Sequence, residues 1–428
     1  MHRQFWQNLQ DKLQQKLANK FIRNLGWLGL SEIIIRISRL VTTFVLARFL
    51  TSYDYGLAAI VMTTQELSQV FTRSGISSKL IQADAEGFEE LCNDAYWLNW
   101  LIYFGLFVTQ GLLAFPIAWF YQDSHLILPI CTLGLIYLVN PIGKINSFLI
   151  MRENRLEIRA LAHTVSICTS NFLSLILAYF GFGIWAIVIP IVCVAPLTTY
   201  IYYSSHPWRP PNKITTKRWG EIFSFGKSIV GVELLYTLRN NLDYLLIGRL
   251  ISIEELGIYY FAFNAGLGIS LSVINAIKAA ILPHLCSLRS DGRELKQQYI
   301  KSLKTIALII VPMVLLQSSL APFYVPIVFG EKWRIAIPLL MLICLSAIPR
   351  PFADAASQLL VAIGQPEWDF RWNICFTLIF IASLFVGVYW HSFGVALTVL
   401  LVHFVCLPLF TLWASRYVFQ RTKNTNAN

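Results

Sequence analysis

The segment Ala47-Arg48-Phe49-Leu50-Thr51-Ser52-Tyr53-Asp54-Tyr55-Gly56 returns 201 positions later, without a gap, as Gly248-Arg249-Leu250-Ile251-Ser252-Ile253-Glu254-Glu255-Leu256-Gly257. The shared pattern is a small residue, an arginine, an apolar position, Ser or Thr, then an acid and a glycine. At the same offset Glu32 falls on Glu233. Farther along, Phe120 with Pro129 matches Phe329 with Pro338, and Phe182-Gly183 matches Phe393-Gly394. The chain reads as two copies of one unit.

On either side of each motif lie apolar blocks of about 18–28 residues, long enough to cross about 30 Å of hydrocarbon as helix. Composition agrees. Of 428 residues, 56% are hydrophobic and 13% charged, and the mean hydropathy is +0.59. An average soluble chain carries roughly 25% Asp, Glu, Lys and Arg. Half that density does not cover soluble domains, which excludes a soluble enzyme, a nucleic-acid binder and a disordered chain.

Twelve spans are expected, at 27–50, 55–73, 95–119, 126–150, 160–180, 182–204, 223–249, 256–285, 303–329, 334–363, 372–390 and 393–415. Six spans per copy, an even number, leave the two copies parallel. Parallel halves of this kind rock about a site near the bilayer midplane in transporters. The expected fold is an all-α polytopic membrane protein of two six-helix bundles related by pseudo-two-fold symmetry. The bundles occupy 27–204 and 223–415, joined by a cytoplasmic linker at 205–222. An amphipathic cytoplasmic segment (1–26) precedes them and a cytoplasmic tail (416–428) follows.

Basic residues set the orientation. The termini and even-numbered loops hold 23 of them, whereas the opposite side has only Arg48, Arg249, Lys332 and Arg334. Both termini are therefore expected in the cytoplasm, and the net charge of +11 is chiefly a topology signal. Within 1–26, Phe5, Trp6, Leu9, Leu13, Leu17 and Phe21 stand beside Lys12, Lys16 and Lys20, the pattern of a helix lying on the inner leaflet. No cleavable signal peptide is visible. The eight cysteines have no metal or redox spacing and read as small core residues. Outer loops are too short to carry the acidic catalytic loop of a membrane glycosyltransferase or polymerase.

Twelve charges fall inside spans: Glu32, Arg36, Arg39, Glu66, Lys144, Lys227, Glu233, Arg239, Asp243, Lys278, Arg350 and Asp354. Each costs at least about 2.5–3.5 kcal/mol at the bilayer centre unless it meets water or a partner. Glu32–Arg36, Arg239–Asp243 and Arg350–Asp354 stand at i,i+4, the spacing of an ion pair on one helix face. Each pair reads equally as a structural ion pair or as part of a site. Arg39, Lys144 and Lys278 have no local partner and are candidates for meeting an anion; Lys227 sits where it can snorkel to the surface. Glu66, Glu233 and Asp243 are candidates for a coupling proton or sodium ion, or for structural hydrogen bonding, with Asn240 and Asn241 adding polar lining. The balance of seven basic to five acidic residues suits a substrate with a phosphate or diphosphate head. His163 and His403 read as satisfied core residues.

The succession Leu46-Ala47-Arg48-Phe49-Leu50, Asp54-Tyr55-Gly56-Leu57, Phe71, Gly75, Leu80-Ile81-Gln82 and Trp97-Leu98-Asn99 resembles the Wzx-type polysaccharide exporters. These are lipid-linked oligosaccharide flippases of the multidrug/oligosaccharidyl-lipid/polysaccharide superfamily, and the likeness is strongest to colanic-acid exporters. Gly183-Ile184-Trp185-Ala186, Pro207-Trp208-Arg209-Pro210, Phe225-Gly226, Asn241 with Asp243, Gly257-Ile258-Tyr259 and Phe329-Gly330-Glu331-Lys332-Trp333 extend it over nearly the whole chain. The resemblance implies a cationic central cavity, alternating access, and a polyprenyl-diphosphate-linked oligosaccharide moved to the outer leaflet. It implies no catalytic residue, no metal and no cofactor.

The resulting expectation is a multi-pass inner-membrane flippase, with membrane lipid and a polysaccharide polymerase as candidate partners and no nucleic acid. Arg36, Arg39, Arg239, Lys278 and Lys144 are the expected cavity cations. Glu32, Glu66, Glu233, Asp243, Arg350 and Asp354 are the residues for ion coupling or helix pairing. A drug/cation antiporter of the same superfamily is the alternative within transport.

Overall fold

Helix makes up 90% of the structure, and no strand occurs among the described residues. The computed structural model describes residues 2–72, 76, 79–80, 87–210, 214–287 and 292–425. Side chains are described for these except 2–25, 221, 223–229, 232, 268–272, 275–276, 278–280, 282–284, 287, 292–293 and 421–425. The apolar and basic side chains expected to anchor segment 1–26, and those of Lys227 and Lys278, lie outside the described residues.

The chain divides into two compact units, Met1–Leu50 with Val61–Leu238, and Thr51–Ile60 with Arg239–Asn428. The first holds α1 (His2–Phe49), most of α2 (Ser52–Thr72), α3 (Phe88–Tyr121), α4 (Ile127–Gly134), α5 (Ile136–Val139), α6 (Pro141–Arg152), α7 (Leu156–Tyr179), α8 (Trp185–Ser205) and nearly all of α9 (Trp219–Asn240). The second holds α10 (Leu242–Leu250), α11 (Ile253–Ser287), α12 (Gly292–Tyr324), α13 (Ile337–Ser346), α14 (Arg350–Ala362), α15 (Pro366–Gly387) and α16 (His391–Thr425). In the first unit α7 packs between α1 and α8. In the second, α16 lies against α13, α14 and α15, and α11 against α13 and α14.

Among the described residues, six stretches are long and apolar enough to span a membrane: Phe88–Tyr121, Leu156–Tyr179, Trp185–Ser205, Glu294–Phe329, Glu331–Ala362 and Pro366–Gln420. A seventh arises if Ser124–Val139 and Pro141–Arg152, bent by 59° at their junction, are one span. The expected spans 372–390 and 393–415 fall inside the last stretch, divided by a short 3-10 turn at Val388–Trp390. The outward faces of these helices are apolar: Leu308 is 76% exposed and Leu112 66%. Such surface is stable only against hydrocarbon, where helices satisfy their own backbone hydrogen bonds. The chain is thus a multi-pass membrane protein.

The repeated motif has a local cause. Thr51 and Asp54 form a reciprocal cap at the start of α2: the Asp54 amide donates to Thr51 Oγ1 (3.1 Å), and the Thr51 amide donates to Asp54 Oδ2 (2.9 Å). Ser252 occupies the equivalent place before α11, accepting from the Glu255 amide at 3.1 Å. The Ser/Thr-x-x-acid spacing is therefore a helix start signal. Its glycines serve a close approach. A Cβ on Gly56 would fall on the carbonyl oxygen of Ile253, and one on Gly257 would fall on that of Ser52. Each glycine thus meets the backbone at the other motif's counterpart position. Around this crossing Tyr55 packs edge-on against Trp333 (5.1 Å between ring centroids) and Phe261 (5.9 Å), which stack on each other at 3.9 Å.

The first unit also buries an uncharged network. Gln110 Nε2 donates to Gln65 Oε1 (3.0 Å) and to the Ile130 carbonyl (2.9 Å), and Gln65 Nε2 donates to Tyr137 Oη (3.1 Å). The reading of all eight cysteines as core residues needs correction. Cys92, Cys344 and Cys406 are buried, but Cys193, Cys286 and Cys375 are exposed, because a thiol on an outward helix face is apolar enough for lipid.

Gly56→Ala and Gly257→Ala each force backbone apart at the crossing. Overpacking of this kind costs about 1–3 kcal/mol, so both variants should lower the midpoint of thermal unfolding in detergent. Gly105→Ala, which meets nothing within 4 Å, should be neutral or slightly stabilising. Equal midpoints for all three would contradict the close crossing.

Candidate functional site

The charges of the second unit converge where a helix is broken. α9 ends at Asn240 and α10 begins at Leu242, with Asn241 in a non-helical conformation (φ −117°, ψ 6°). The break removes the i,i+4 geometry on which an Arg239–Asp243 pair depends, and the two side chains take other partners. Arg239 Nη1 donates to Asn373 Oδ1 on α15 at 2.7 Å, and its guanidinium stands 5.6 Å from the Phe376 ring. Asp243 is buried; its Oδ2 accepts from Tyr259 Oη of α11 at 2.8 Å and its Oδ1 from the Tyr244 amide at 3.0 Å.

Arg350 completes the cluster from α14. Its positive charge acts on Asp243, Tyr259 and His403, and its Nε is buried without a hydrogen-bond partner among the described residues. The expected Arg350–Asp354 ion pair does not occur among the described residues, although both lie on α14; the Arg350 charge acts on α10, α11 and α16 instead. Asp354 is half-buried and interacts elsewhere.

His403 of α16 was expected to be a satisfied core residue. It is buried against the rings of Phe376 and Phe380 at 5.9 and 5.8 Å, but its Nδ1 has no partner among the described residues. Arg239 and Arg350 both act on it. Sequence reasoning missed Tyr259, Asn373 and His403 as site residues because it sought charges. A polar residue one or two turns from an intramembrane charge is the signal that finds Asn373 and Tyr259 only after the helices are packed.

In the first unit the charges lie along α1 beside α7. Ser31 hydrogen-bonds Thr164 and the Ala160 carbonyl, and Asn171 Nδ2 donates to Ser38 Oγ at 2.8 Å. These contacts turn Glu32, Arg36 and Arg39 away from the packed seam. The expected Glu32–Arg36 pair is present at 3.0 Å, with side chains 51% and 36% exposed, and Arg39 is exposed. His163 is likewise exposed on α7, in the field of Arg39, Glu32 and Arg159, so its assignment to the core is corrected. Lys144 is half-buried, its Nζ 5.4 Å from the Phe148 ring. Glu66 is exposed and Glu233 half-buried, each with an interaction of its own.

The two units thus offer different chemistry. The first presents accessible guanidinium groups along one helix, suited to meeting oxyanions. The second holds two arginines, an imidazole and a buried carboxylate in a packed, hydrogen-bonded cluster, which suits helix pairing or the handling of a proton or small ion. No group of three or more metal-ligating side chains occurs among the described residues.

Comparison with known proteins agrees with this architecture. The chain is 26% identical over 407 residues to the teichuronic acid biosynthesis protein TuaB of Bacillus subtilis (strain 168), covering 94% of this chain and 84% of that protein. It is 25% identical over 392 residues to the lipopolysaccharide biosynthesis protein WzxC of Escherichia coli (strain K12), covering 91% and 80%. Its fold is similar to the inward closed conformation of the lipid II flippase MurJ, with a TM-score of 0.75 at 14% identity over 92% of this chain and 89% of that one. Residues 45–338 match the model of the polysaccharide biosynthesis protein family, and the chain belongs to that family.

Proposed function

We propose that the chain is a flippase that carries polyprenyl-diphosphate-linked oligosaccharide from the cytoplasmic to the outer leaflet of the inner membrane. Twelve spans in two parallel six-helix bundles, with both termini cytoplasmic, form the proposed frame, and alternating access of a central cavity is the proposed motion. The names of TuaB, WzxC and MurJ, which refer to polysaccharide assembly and lipid II flipping, support this reading. So does the excess of 23 basic residues on one side over four on the other.

The observation that carries the proposal is the exposed Glu32, Arg36 and Arg39 face of α1. A charge on a spanning helix is tolerable where it faces water or an ionic ligand. Arg36 and Arg39 are three residues apart, so both guanidinium groups lie on one face. Their planar forks match phosphate oxygens two at a time, with geometry and charge together. Glu32 lowers the cost of Arg36 and holds its guanidinium along the helix. A diphosphate drawn to these groups leaves water for the cavity and so crosses without entering hydrocarbon, while its polyprenyl tail stays in the lipid. No covalent bond need change.

Arg239 is proposed as a further cation for the substrate, and Lys144 and Lys278 as subsidiary ones. Asp243, with Glu66 and Glu233, is proposed to take a coupling proton or sodium ion, or to hold helices in register. A cationic face on α1 is poorly suited to an exporter of organic cations.

Two outcomes follow. Cells producing the Arg36→Ala, Arg39→Ala, Arg239→Ala triple variant should keep folded protein in the membrane yet lose polymer export, with lipid-linked oligosaccharide accumulating on the inner leaflet. Normal polymer would contradict the assignment. Tyr259→Phe should reduce stability by about 1.5–3 kcal/mol through loss of a hydrogen bond to a charged group. Thermal unfolding in detergent measures it, and an unchanged midpoint would show that Asp243 does not depend on that phenol.

A further inference from the structure

The segment after α8, which links the halves of the sequence, is fastened to the first unit. Arg155 Nη1 donates to the Ser205 carbonyl (3.1 Å), and Asn146 Nδ2 to the Trp208 carbonyl (3.0 Å). The buried Asp94 accepts the Arg218 amide at Oδ2 (2.8 Å), and its carbonyl accepts Trp219 Nε1 (3.0 Å). Trp208, between Pro207 and Pro210, packs edge-on against Tyr96 at 5.8 Å. Between this strap, the start of α3 and the end of α6 lies a cavity of about 380 Å³, lined among others by Phe88, Glu89, Arg152, Glu153, His206 and Trp208. Small-molecule sites fall at about 300–1,000 Å³.

The cavity wall is fixed before any ligand arrives. The Trp208 amide donates to His206 Nδ1 (3.1 Å), which leaves the proton on Nε2, and Nε2 donates to Glu153 Oε1 (3.1 Å). Arg155 holds the other oxygen of Glu153 at 3.3 Å. Arg152 is committed as well: its guanidinium lies 3.9 Å from the Phe88 ring centroid, and Nη1 donates to the Leu80 carbonyl at 2.7 Å. Glu89 is exposed and makes no hydrogen bond or ion pair among the described residues. The half-buried Trp208 and the exposed Glu89 thus give the cavity an indole and a carboxylate acceptor.

We infer that this cavity is a carbohydrate subsite that takes a pyranose ring, the Trp208 indole covering its C–H face and Glu89 accepting its hydroxyls. The inference rests on the flippase reading above. It places the sugar portion of a lipid-linked substrate on the first unit, at the cytoplasmic ends of α3 and α6, before the diphosphate meets α1. Because the wall is held by hydrogen bonds to backbone, little ordering cost falls on binding.

Saturation-transfer NMR on the purified full chain in nanodiscs tests it, with free glucose, galactose, glucuronic acid and N-acetylglucosamine as probes. At least one sugar should receive transfer. Glu89→Gln, an exposed change that leaves the strap intact, should weaken that binding about tenfold, a difference of about 1.4 kcal/mol. Trp208→Phe should weaken it less than Trp208→Ala, while the Arg36→Ala, Arg39→Ala double variant should bind as wild type. No transfer to any of the four sugars, or transfer indifferent to both Glu89 and Trp208, would overturn the subsite. So would tetramethylammonium competing for the same residues. Failure of the flippase reading shows elsewhere, as normal export from the triple arginine variant, so the two failures are distinguishable.

Discussion

Main-chain contact at Gly56 and Gly257 is the constraint from which the second unit is built. The Thr51–Asp54 and Ser252–Glu255 spacings start α2 and α11, and the glycines let those starts touch through backbone alone. Side chains of any size would hold them apart. Because they touch, Thr51–Ile60 leaves the first half of the sequence and joins the second unit. Tyr55 then reaches Trp333 and Phe261, the aromatic centre of that unit. The same capping acid has a second use at Glu255, which receives the Ser392 amide at 2.9 Å and pairs with His391 at 3.1 Å. One short motif therefore sets a helix start and a close crossing, and in its second copy a contact to α16.

Charge inside the membrane is managed in two ways. On α1 the packed seam is made by hydroxyl and amide groups, which leaves Glu32, Arg36 and Arg39 accessible. In the second unit Asp243 is buried but fully hydrogen-bonded, and the Arg350 charge acts on it from α14, far away in sequence, while Arg239 is held by Asn373. The first arrangement leaves cations available to a ligand. The second lowers the cost of burial by local satisfaction, while the open valences at Arg350 Nε and His403 Nδ1 keep it poised for a further partner.

Much of this was legible in the residues. Apolar blocks gave the spans in 95–119, 160–180 and 182–204, where few charges interrupt them. The internal repeat pointed to 56 and 257 before any contact was visible. The Glu32–Arg36 pair was legible because α1 is unbroken there. Arg239–Asp243 was not, because the interruption at Asn241 is set by tertiary packing and carries no Pro or Gly to announce it. Arg350 was read against its own helix, although its field falls on Asp243, Tyr259 and His403 of three others. Buried neutral polar residues, above all Gln65 and Gln110, were overlooked because hydropathy patterns register charge and apolarity but not which amides will meet.

The proposed activity is vectorial movement of a lipid-linked sugar without covalent change. Its most direct measurement uses liposomes containing the purified chain, loaded on one leaflet with a fluorescent polyprenyl-diphosphate oligosaccharide and probed on the other by a membrane-impermeant glycosidase. The protein should make the sugar accessible far faster than protein-free liposomes do, with the lipid-diphosphate-sugar linkage intact. Accessibility equal to that of empty liposomes, or cleavage of the linkage by the protein itself, would contradict it.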